Sequence, residues 1–497
     1  MREAGILLPI FSLPSRYGIG CFSKEAYRFV DFLAESGQRL WQILPMGVTG
    51  VGDSPYQSFS AFAGNPYFID LEALCREGLL TAEECESAAL ESEDGGVDYE
   101  KQYLHRLPLL RLAFDRTGVQ KSEEQRRFER EAAWWLADYA LFMAIKKSLG
   151  GLPVSEWRED LRRRDSEAME ESRRALRAEI EFHQFLQFHF WKQWRALKEY
   201  ANAKGIRIVG DLPIYVSADS ADVWVHPDLF LLDAQGAPIA VAGCPPDGFS
   251  PNGQLWGNPL YRWEAHREEG FSWWISRLRY AFSLYDTVRI DHFRGFDSYY
   301  AVPFGAKDAR NGRWERGPSM VLFDAVERAL GKRDIIAEDL GYVTESVRRL
   351  VEDSGFAGMK ILQFGWEESE GDETTNEHLP HRYEAHCAAY TGTHDNPTLS
   401  EWISMLSQEK KREIWRYLGA PCDSDEALRE RLLTCLLHSR ARRCIVPLQD
   451  YLGVGGEGRI NRPATTGRNW RWRLRGNELC EGLAQRIAAL AEASGRK

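Results

Sequence analysis

Acidic and basic side chains close several short apolar runs of this sequence, and they are the first candidates for chemistry. In VRIDHF (288–293), Arg289 and Asp291 alternate with valine and isoleucine. Residues two apart on a strand face the same way, so these two side chains are expected to share one side. A guanidinium beside a carboxylate fixes the direction of the carboxylate and favours its ionised form. The candidates of this kind are Asp211, Arg289, Asp291, Glu338, Asp339, His394 and Asp395.

Carboxylates dominate this set, and the sequence lacks the motifs of several other chemistries. It contains no G-x-S-x-G elbow, no phosphate-binding loop and no cysteine–histidine pairing. Two carboxylates are the usual catalysts at glycosidic bonds, one as nucleophile or base and the other as general acid. From the residues alone, a glycosidase, another barrel enzyme such as an aldolase, and a carbohydrate-binding protein all stay open.

Composition excludes some classes of partner. The 497 residues carry a formal net charge of -11, whereas a nucleic-acid-binding surface would require a basic face. No apolar run reaches membrane-spanning length, and the first residues lack a signal peptide's cleavage pattern. Nine cysteines without paired spacing predict reduced thiols in a cytoplasmic protein. The sequence shows no metal-ligand cluster, and we expect no cofactor.

Eight short apolar runs are separated, in many places, by segments with the periodicity of amphipathic helices. Alternation of strands and helices predicts parallel βαβ units. Eight such units favour an α/β fold, a (β/α)₈ TIM barrel, over an open doubly wound sheet, which stays the alternative. The predicted strands are GILLPI (5–10), LWQILP (40–45), IRIVGDLP (206–213), TVRIDHF (287–293), DIIAEDLG (334–341), KILQFGW (360–366), AAYTGTHDN (388–396) and CIVPLQDYLG (444–453).

Two segments are too long to be simple connections between strands. We predict one catalytic barrel domain over 1–497, with subdomains around the cleft formed by insertions. Residues from about 70 to 200 are rich in Glu, Arg, Leu and Ala, which predicts a helical insertion. Residues from about 214 to 275 are dense in Pro, Gly, Asp and Trp, which predicts a loop-rich insertion over the cleft.

Seven motifs resemble one known family. They are SPYQSFSAFAGNPYFIDL, GDLPIYVSADSADVW, PPDGFSPNGQLWGNPLY, VRIDHFRGF, IAEDLG, TGTHDNPT and NRPATTGRNWRWR, which together span residues 54 to 473. Their types, order and separation are similar to those of the amylomaltases, or disproportionating enzymes. This is the 4-α-glucanotransferase family, glycoside hydrolase family 77, which is related to the α-amylases.

The resemblance implies roles for the three carboxylates. Asp291 matches the family's nucleophile, which forms a covalent glucosyl-enzyme. Glu338 matches the general acid/base, and Asp395 matches a third carboxylate that binds sugar hydroxyls. Retaining chemistry of this kind requires Glu338 to be protonated while Asp291 is ionised, so their environments must differ.

The resemblance also implies the substrates and a set of contacts. Donors are α-1,4-glucans, and acceptors are glucose or maltooligosaccharides, with no nucleic-acid or membrane partner and a monomeric or weakly oligomeric state. An α-amylase-type retaining hydrolase and a non-catalytic glucan-binding protein stay as alternatives. The expected substrate-binding residues are Tyr56, Asp211, Gln254, Trp256, Arg289, His292, Phe364, His394 and Asn461.

Overall fold

Twelve β-strands form the sheets of the described part of the chain. The computed structural model describes residues 2–50, 52–117, 121–246, 250–367, 376–419, 424–465 and 467–496. The strands are β1 (Glu3–Leu7), β2 (Leu40–Gln42), β3 (Arg207–Leu212), β4 (Ala240–Cys244), β5 (Gln254–Pro259), β6 (Thr287–Ile290), β7 (Ser298–Pro303), β8 (Arg313–Arg316), β9 (Ile335–Ala337), β10 (Ala357–Ile361), β11 (Cys387–Tyr390) and β12 (Arg443–Pro447).

Eight of these strands close into a parallel barrel. Their order is β1-β12-β11-β10-β9-β6-β3-β2, and β2 pairs with β1 to complete the ring. The prediction of a (β/α)₈ barrel is therefore confirmed, and the open sheet is excluded. Closure brings the carboxyl ends of all eight strands to one mouth, where barrel enzymes hold their catalytic groups.

Apolar side chains fill the barrel interior. The inner cluster contains Leu7, Leu40, Val209, Ile336, Met359, Ile361, Ala388, Tyr390 and Ile445, each at most 1% exposed. Strands covered on both faces read as nearly continuous apolar runs, which is why the sequence pattern located them. The tyrosine of this set, Tyr390, donates its hydroxyl to Gln42 Oε1 at 2.8 Å, so the polar group it carries inward is satisfied.

The described residues form twenty α-helices. They are α1 (Lys24–Glu35), α2 (Leu71–Arg76), α3 (Ala82–Ser87), α4 (Tyr99–Lys101), α5 (Leu107–Arg116), α6 (Glu123–Glu131), α7 (Ala133–Ser148), α8 (Glu159–Arg162), α9 (Ser166–Ala175), α10 (Arg177–Ala203), α11 (Ala221–Val225), α12 (Trp263–Glu268), α13 (Ser272–Leu284), α14 (Met320–Leu330), α15 (Glu345–Ser354), α16 (Leu399–Met405), α17 (Gln408–Leu418), α18 (Asp425–His438), α19 (Leu448–Leu452) and α20 (Glu481–Ala493). None of the helices in these ranges is long and apolar enough to cross a membrane.

The sixth predicted strand is displaced along the chain. The prediction placed it at 360–366, whereas β10 is Ala357–Ile361 and a 3₁₀ helix occupies Gln363–Trp366. Gly355 ends α15 in the left-handed conformation, and the strand starts two residues later. The apolar run LQFGW belongs to the turn beyond the strand, and periodicity cannot separate a short buried strand from a buried turn.

A second sheet lies outside the barrel and was not predicted. It is antiparallel, with the order β5-β4-β7-β8. Two of its strands, β4 and β5, lie inside the 214–275 segment that the sequence predicted as loop-rich. Its glycines and prolines conceal the strands, since β4 reads AVAGC and β5 reads QLWGNP. Helices α2 to α10 lie between β2 and β3. The assignment of 70–200 and 214–275 as insertions of one catalytic domain stays a prediction.

Both ends of the described chain lie at the amino-terminal end of the barrel. Glu3 begins β1 there, and its carbonyl accepts a hydrogen bond from Arg496 Nη1 at 3.1 Å. Arg496 is 1% exposed and also donates Nε to the carbonyl of Leu437 at 2.6 Å. The segment after α20 is therefore fixed against the first strand, across the barrel from the mouth.

Candidate active site

Two carboxylates follow neighbouring strands at the mouth of the barrel. Asp291 comes directly after β6, and Glu338 comes directly after β9. The two strands pair in parallel, with Ile290 opposite Ala337. The amide of Glu338 donates to the carbonyl of Ile290 at 3.1 Å, which continues the ladder to the carboxylates. Strand register therefore places these two side chains beside each other.

One guanidinium bridges two carboxylates at this point. Asp211 and Arg289 are register partners on β3 and β6. Arg289 Nη1 donates to both carboxylate oxygens of Asp211, at 2.7 and 2.8 Å, and Nη2 lies 3.0 Å from Asp291 Oδ1. Within the described residues no hydrogen bond reaches Oδ2 of Asp291, so that oxygen is available for reaction. The expected pairing of Arg289 with Asp291 is present, and it is shared with Asp211.

Asp211 has no exposed side-chain surface. Its Oδ2 also accepts the hydroxyl of Tyr56 at 2.8 Å. A buried arginine is costly unless a carboxylate pairs with it, and Asp211 supplies that pairing. Asp211 therefore contacts two other predicted site residues, Arg289 and Tyr56, and its own role as a substrate contact stays a prediction.

Burial raises the pKa values of Asp291 and Glu338 to different extents. It raises the pKa of Asp291 to about 6, and the neighbouring Arg289 opposes this rise. Burial raises the pKa of Glu338 further, to about 8, with Arg289 opposing the rise and the charge of Asp291 adding to it. At a pH between these two pKa values, Asp291 is ionised and Glu338 is protonated. A nucleophile and a general acid require these respective forms.

Two backbone amides hold the carboxylate of Glu338 in place. Oε2 accepts from the amide of His292 at 2.6 Å, and Oε1 accepts from the amide of Leu340 at 3.1 Å. His292 adopts the left-handed conformation, with φ 49°, which is unusual for a residue other than glycine and typical of functional sites. The adjacent Asp339 belongs to the sheet, since its Oδ1 accepts from the amide of Met359 at 2.7 Å.

A third carboxylate lies on the loop after β11. Asp395 keeps 45% of its side chain exposed, and its Oδ1 accepts from Asn461 Nδ2 at 2.6 Å. His394 Nε2 lies 3.4 Å from the same oxygen. The amide of Asn461 donates to the carbonyl of His394 at 3.1 Å, so two distant segments are joined at this point.

Aromatic rings form two walls around these groups. Tyr56 stacks on His394, with ring centroids 5.2 Å apart and planes at 17°, and Trp470 lies 5.8 Å from each. On the other wall Trp256 meets His292 edge to face at 4.8 Å. Flat apolar faces beside hydrogen-bonding groups suit sugar rings.

Two imidazole nitrogens in these walls lack a partner. His292 Nε2 and His394 Nδ1 are buried, and neither has a hydrogen bond among the described residues. Burial, together with Arg294, lowers the pKa of His292 to about 3, so its ring is neutral. An unpartnered buried polar atom is costly, and a ligand hydroxyl would satisfy it.

The two remaining predicted contacts lie at the edges of this group. Gln254 begins β5 and accepts the indole N–H of Trp256 on Oε1 at 3.1 Å. Phe364 lies in the 3₁₀ helix after β10, half-buried, with its ring edge to face against His378 at 5.4 Å. Within the described ranges, no three histidine, cysteine, aspartate or glutamate residues are placed to hold a metal ion.

Comparison with known proteins places this arrangement in a family. The family model for 4-α-glucanotransferase matches residues 8–479. The chain belongs to the 4-α-glucanotransferase family, glycoside hydrolase family 77. It is 45% identical to a 4-α-glucanotransferase of Thermus thermophilus over 100% of this chain and 99% of the relative, and 43% identical to one of Clostridium butyricum over 98% and 99%. Its activity is therefore that of a 4-α-glucanotransferase.

A solved structure supports the same family. The amylomaltase of Streptococcus agalactiae, determined in complex with acarbose, superposes with a TM-score of 0.96 at 40% sequence identity, and each chain is covered over 100% of its length. The resemblance drawn from the seven motifs is confirmed, both for the family and for the barrel.

Three residues near the site were not predicted from the sequence. Tyr215 packs against Trp256 and His292, with ring centroids 6.4 and 6.5 Å away. Trp470 completes the wall of Tyr56 and His394. Arg459 donates Nη2 to the backbone carbonyl of Asp395 at 2.9 Å. Tyr215 and Trp470 lie inside the motifs DLPIYV and GRNWRWR, which was the available signal, whereas nothing local marks Arg459.

Proposed function

We propose that the chain transfers a segment of an α-1,4-glucan to the 4-hydroxyl of another glucan or of glucose by retaining double displacement. Asp291 is the nucleophile, Glu338 the general acid/base and Asp395 the third carboxylate. One observation carries the proposal: two carboxyls at the ends of neighbouring strands are held in environments that keep one ionised while the other is protonated.

In the first half-reaction, Asp291 forms a bond to the anomeric carbon while the glycosidic bond breaks. Its Oδ1 is held by Arg289, so Oδ2 is the attacking oxygen. Glu338 gives its proton to the departing oxygen, and the leaving glucan departs with a free 4-hydroxyl. This first displacement inverts the configuration of the anomeric carbon, and a second inversion restores it when the ester to Asp291 is broken.

In the second half-reaction an acceptor sugar replaces the leaving glucan. Glu338, now ionised, takes the proton of the acceptor's 4-hydroxyl as its oxygen attacks the anomeric carbon, and the ester to Asp291 breaks. Transfer competes with hydrolysis, so the site must hold a sugar over the ester and disfavour water. Trp256 and Tyr56, on opposite walls, are the proposed stacking surfaces for bound glucan.

The remaining contacts follow from the same geometry. His292 and His394 offer unpartnered imidazole nitrogens to sugar hydroxyls. Asp395 and Asn461 form a polar pair at the cleft. The amylomaltase of S. agalactiae was determined with acarbose, and we propose that this cleft binds the same compound. The substrate-binding set is Tyr56, Gln254, Trp256, Arg289, His292, Phe364, His394 and Asn461, with Asp211 acting through Arg289 and Tyr56.

The sequence's other expectations stay predictions. They are a cytoplasmic location, a monomeric or weakly oligomeric state, no cofactor, and no nucleic-acid or membrane partner.

Incubation with maltotriose distinguishes transfer from hydrolysis. We expect glucose and a ladder of longer maltooligosaccharides, because the glycosyl-enzyme is captured by a second maltotriose more often than by water. The products are resolved by chromatography, and reducing ends are counted in parallel. Transfer leaves the number of reducing ends constant, whereas hydrolysis raises it. Shortened products alone, with reducing ends rising in proportion, would favour the amylase-type hydrolase.

The activity is expected to follow a bell-shaped pH profile. Asp291 must be ionised, so kcat/KM rises as the pH increases through about 6. Glu338 must be protonated, so kcat/KM falls as the pH increases through about 8. Initial rates on maltotriose from about pH 4 to about pH 10 measure both limbs. Tryptophan fluorescence at each pH is the control for unfolding. An acid limb near the ordinary aspartate pKa, about 4, would contradict the effect of burial on Asp291.

A further inference from the structure

We propose that Asp450 is a positioning residue for the transfer reaction. It lies in α19, just beyond β12, and it fixes the loop that carries His394 and Asp395. This inference rests on the proposed function, because it matters only if those two residues contact the substrate. Asp450 itself reaches no substrate group in our assignment, so its effect is exerted through the loop.

Asp450 holds both ends of that loop. Its Oδ2 accepts the hydroxyl of Thr391, the first residue after β11. Its Oδ1 accepts the amide of Leu399, the first residue of α16, at 2.7 Å. Asp395 lies midway between these two anchors along the chain. A single carboxylate therefore sets the distance between the ends of the segment and the direction in which its middle projects.

Burying the carboxylate of Asp450 costs free energy, and its two hydrogen bonds offset that cost. Asp450 is 1% exposed and Thr391 is 0% exposed. Among the described residues no cation forms a salt bridge with Asp450. A buried carboxylate without a salt bridge depends on its hydrogen-bond donors, and here both donors come from the loop. Displacing the loop would leave the carboxylate unsatisfied, so the buried acid resists that displacement.

Contacts inside the loop transmit this restraint to Asp395. Asn396 Oδ1 accepts the amide and the hydroxyl of Thr393, at 2.8 and 2.9 Å. Thr393 Oγ1 in turn accepts the amide of Asp395 at 3.2 Å. Gln363 Nε2 donates to the carbonyl of Pro397 at 2.9 Å. The loop is therefore a connected unit, and a shift at Thr391 or Leu399 would move Asp395 as well.

The chain contains a matched hydrogen bond at the other end of the barrel. Thr287 begins β6, is 0% exposed, and donates its hydroxyl to Asp334 Oδ2 at 2.7 Å. In both pairs a buried threonine hydroxyl donates to an aspartate, but Asp334 lies at the amino-terminal end of the barrel and also forms a salt bridge with Arg443 at 2.6 Å. Loss of the Thr287 hydroxyl is therefore expected to cost no more stability than loss of the Thr391 hydroxyl, and only Thr391 is connected to the loop that carries His394 and Asp395.

The test compares Thr391→Val with Thr287→Val in the full-length enzyme. Thr391→Val is expected to lower kcat on maltotriose by about tenfold or more, with KM within about threefold, because misplaced catalytic groups reduce rate more than binding. Thr391→Ser keeps the hydroxyl and is expected to restore most of kcat. Thr287→Val is expected to lower the melting temperature by no more than Thr391→Val does, while kcat per folded molecule stays within about twofold of the wild type. Asp450→Asn, which keeps the shape of the side chain, is a second variant judged by the same criteria.

Two results would overturn the proposal. The first is a kcat for Thr391→Val and Asp450→Asn equal to that of Thr287→Val per folded molecule. The second is a decrease in kcat that is as large in Thr391→Ser as in Thr391→Val. Asp395→Asn serves as the reference. If Asp395→Asn is inactive while Thr391→Val is fully active, the positioning role alone fails. If Asp395→Asn is itself fully active, the assignment of the third carboxylate fails with it.

Discussion

Replacement of Asp291 by asparagine is expected to abolish transfer while leaving the barrel folded. The carboxamide is a poor nucleophile, so the covalent ester cannot form, and kcat/KM on maltotriose is expected to fall by about 10⁴-fold or more. The carboxamide oxygen can still accept from Arg289 Nη2, and Asp211 still neutralises that arginine. The measurement is the rate of glucose release, with the melting temperature recorded on the same preparation.

A carboxylate at the opposite end of the same strand provides the control. Asp286 precedes β6, and its Oδ2 accepts the amide of Ile208 at 2.8 Å. Asp286→Asn makes the same chemical change far from the mouth and is expected to keep activity in proportion to its folded fraction. Activity of Asp291→Asn within about tenfold of the wild type would remove Asp291 from the role of nucleophile.

Glu338→Gln is expected to separate the two half-reactions. On maltotriose, kcat/KM is expected to fall by about 10³-fold, because the leaving glucan receives no proton. On α-maltosyl fluoride, whose leaving group needs no proton, formation of the ester is largely spared. Return of the ester to product still lacks a base, so the glycosyl-enzyme accumulates. Mass spectrometry of the intact protein is expected to show the added maltosyl mass, and the pH profile on the fluoride is expected to lose its alkaline limb.

The neighbouring carboxylate tests whether the effect belongs to Glu338. Asp339 is one residue away, and its bond to the amide of Met359 gives it a role in the sheet. Asp339→Asn is expected to alter stability without trapping an ester. A Glu338→Gln variant that accumulates no ester and loses equal activity on both donors would instead indicate a general defect in binding or folding.

Local patterns predicted the barrel because its strands are buried on both faces. The run IRIVGDLP contains β3, the run AAYTGTHDN contains all but the first residue of β11, and the polar ends of both runs lie at the mouth. The antiparallel sheet was missed because β4 and β5 carry small residues, glycine and proline, and lack clear alternation. The sixth strand was displaced because apolar residues continue past Ile361 into a 3₁₀ turn. Hydrophobic periodicity and composition therefore identify buried segments more readily than they identify the residues at which a strand ends.

The site was predictable where its chemistry is local. Arg289 and Asp291 are two residues apart in one short segment, which predicted that their side chains share a side, and the structure shows their ion pair. The contact of Arg289 with Asp211 depends on the register of β3 against β6, which no local pattern contains. The stack of Tyr56, His394 and Trp470 joins three distant parts of the chain. Such contacts are set by the closed barrel and its long connections, so only the assembled fold shows them.

The contact between Glu3 and Arg496 suggests where the enzyme can be immobilised or rearranged. Both residues lie on the side of the barrel opposite the proposed cleft. Tethering to a solid support through either end would therefore leave the cleft facing the solution. A short peptide joining the two ends would span little distance, and the chain could then be reopened in a surface turn elsewhere. Such circular permutants would change the order of the chain without changing the residues at the mouth of the barrel.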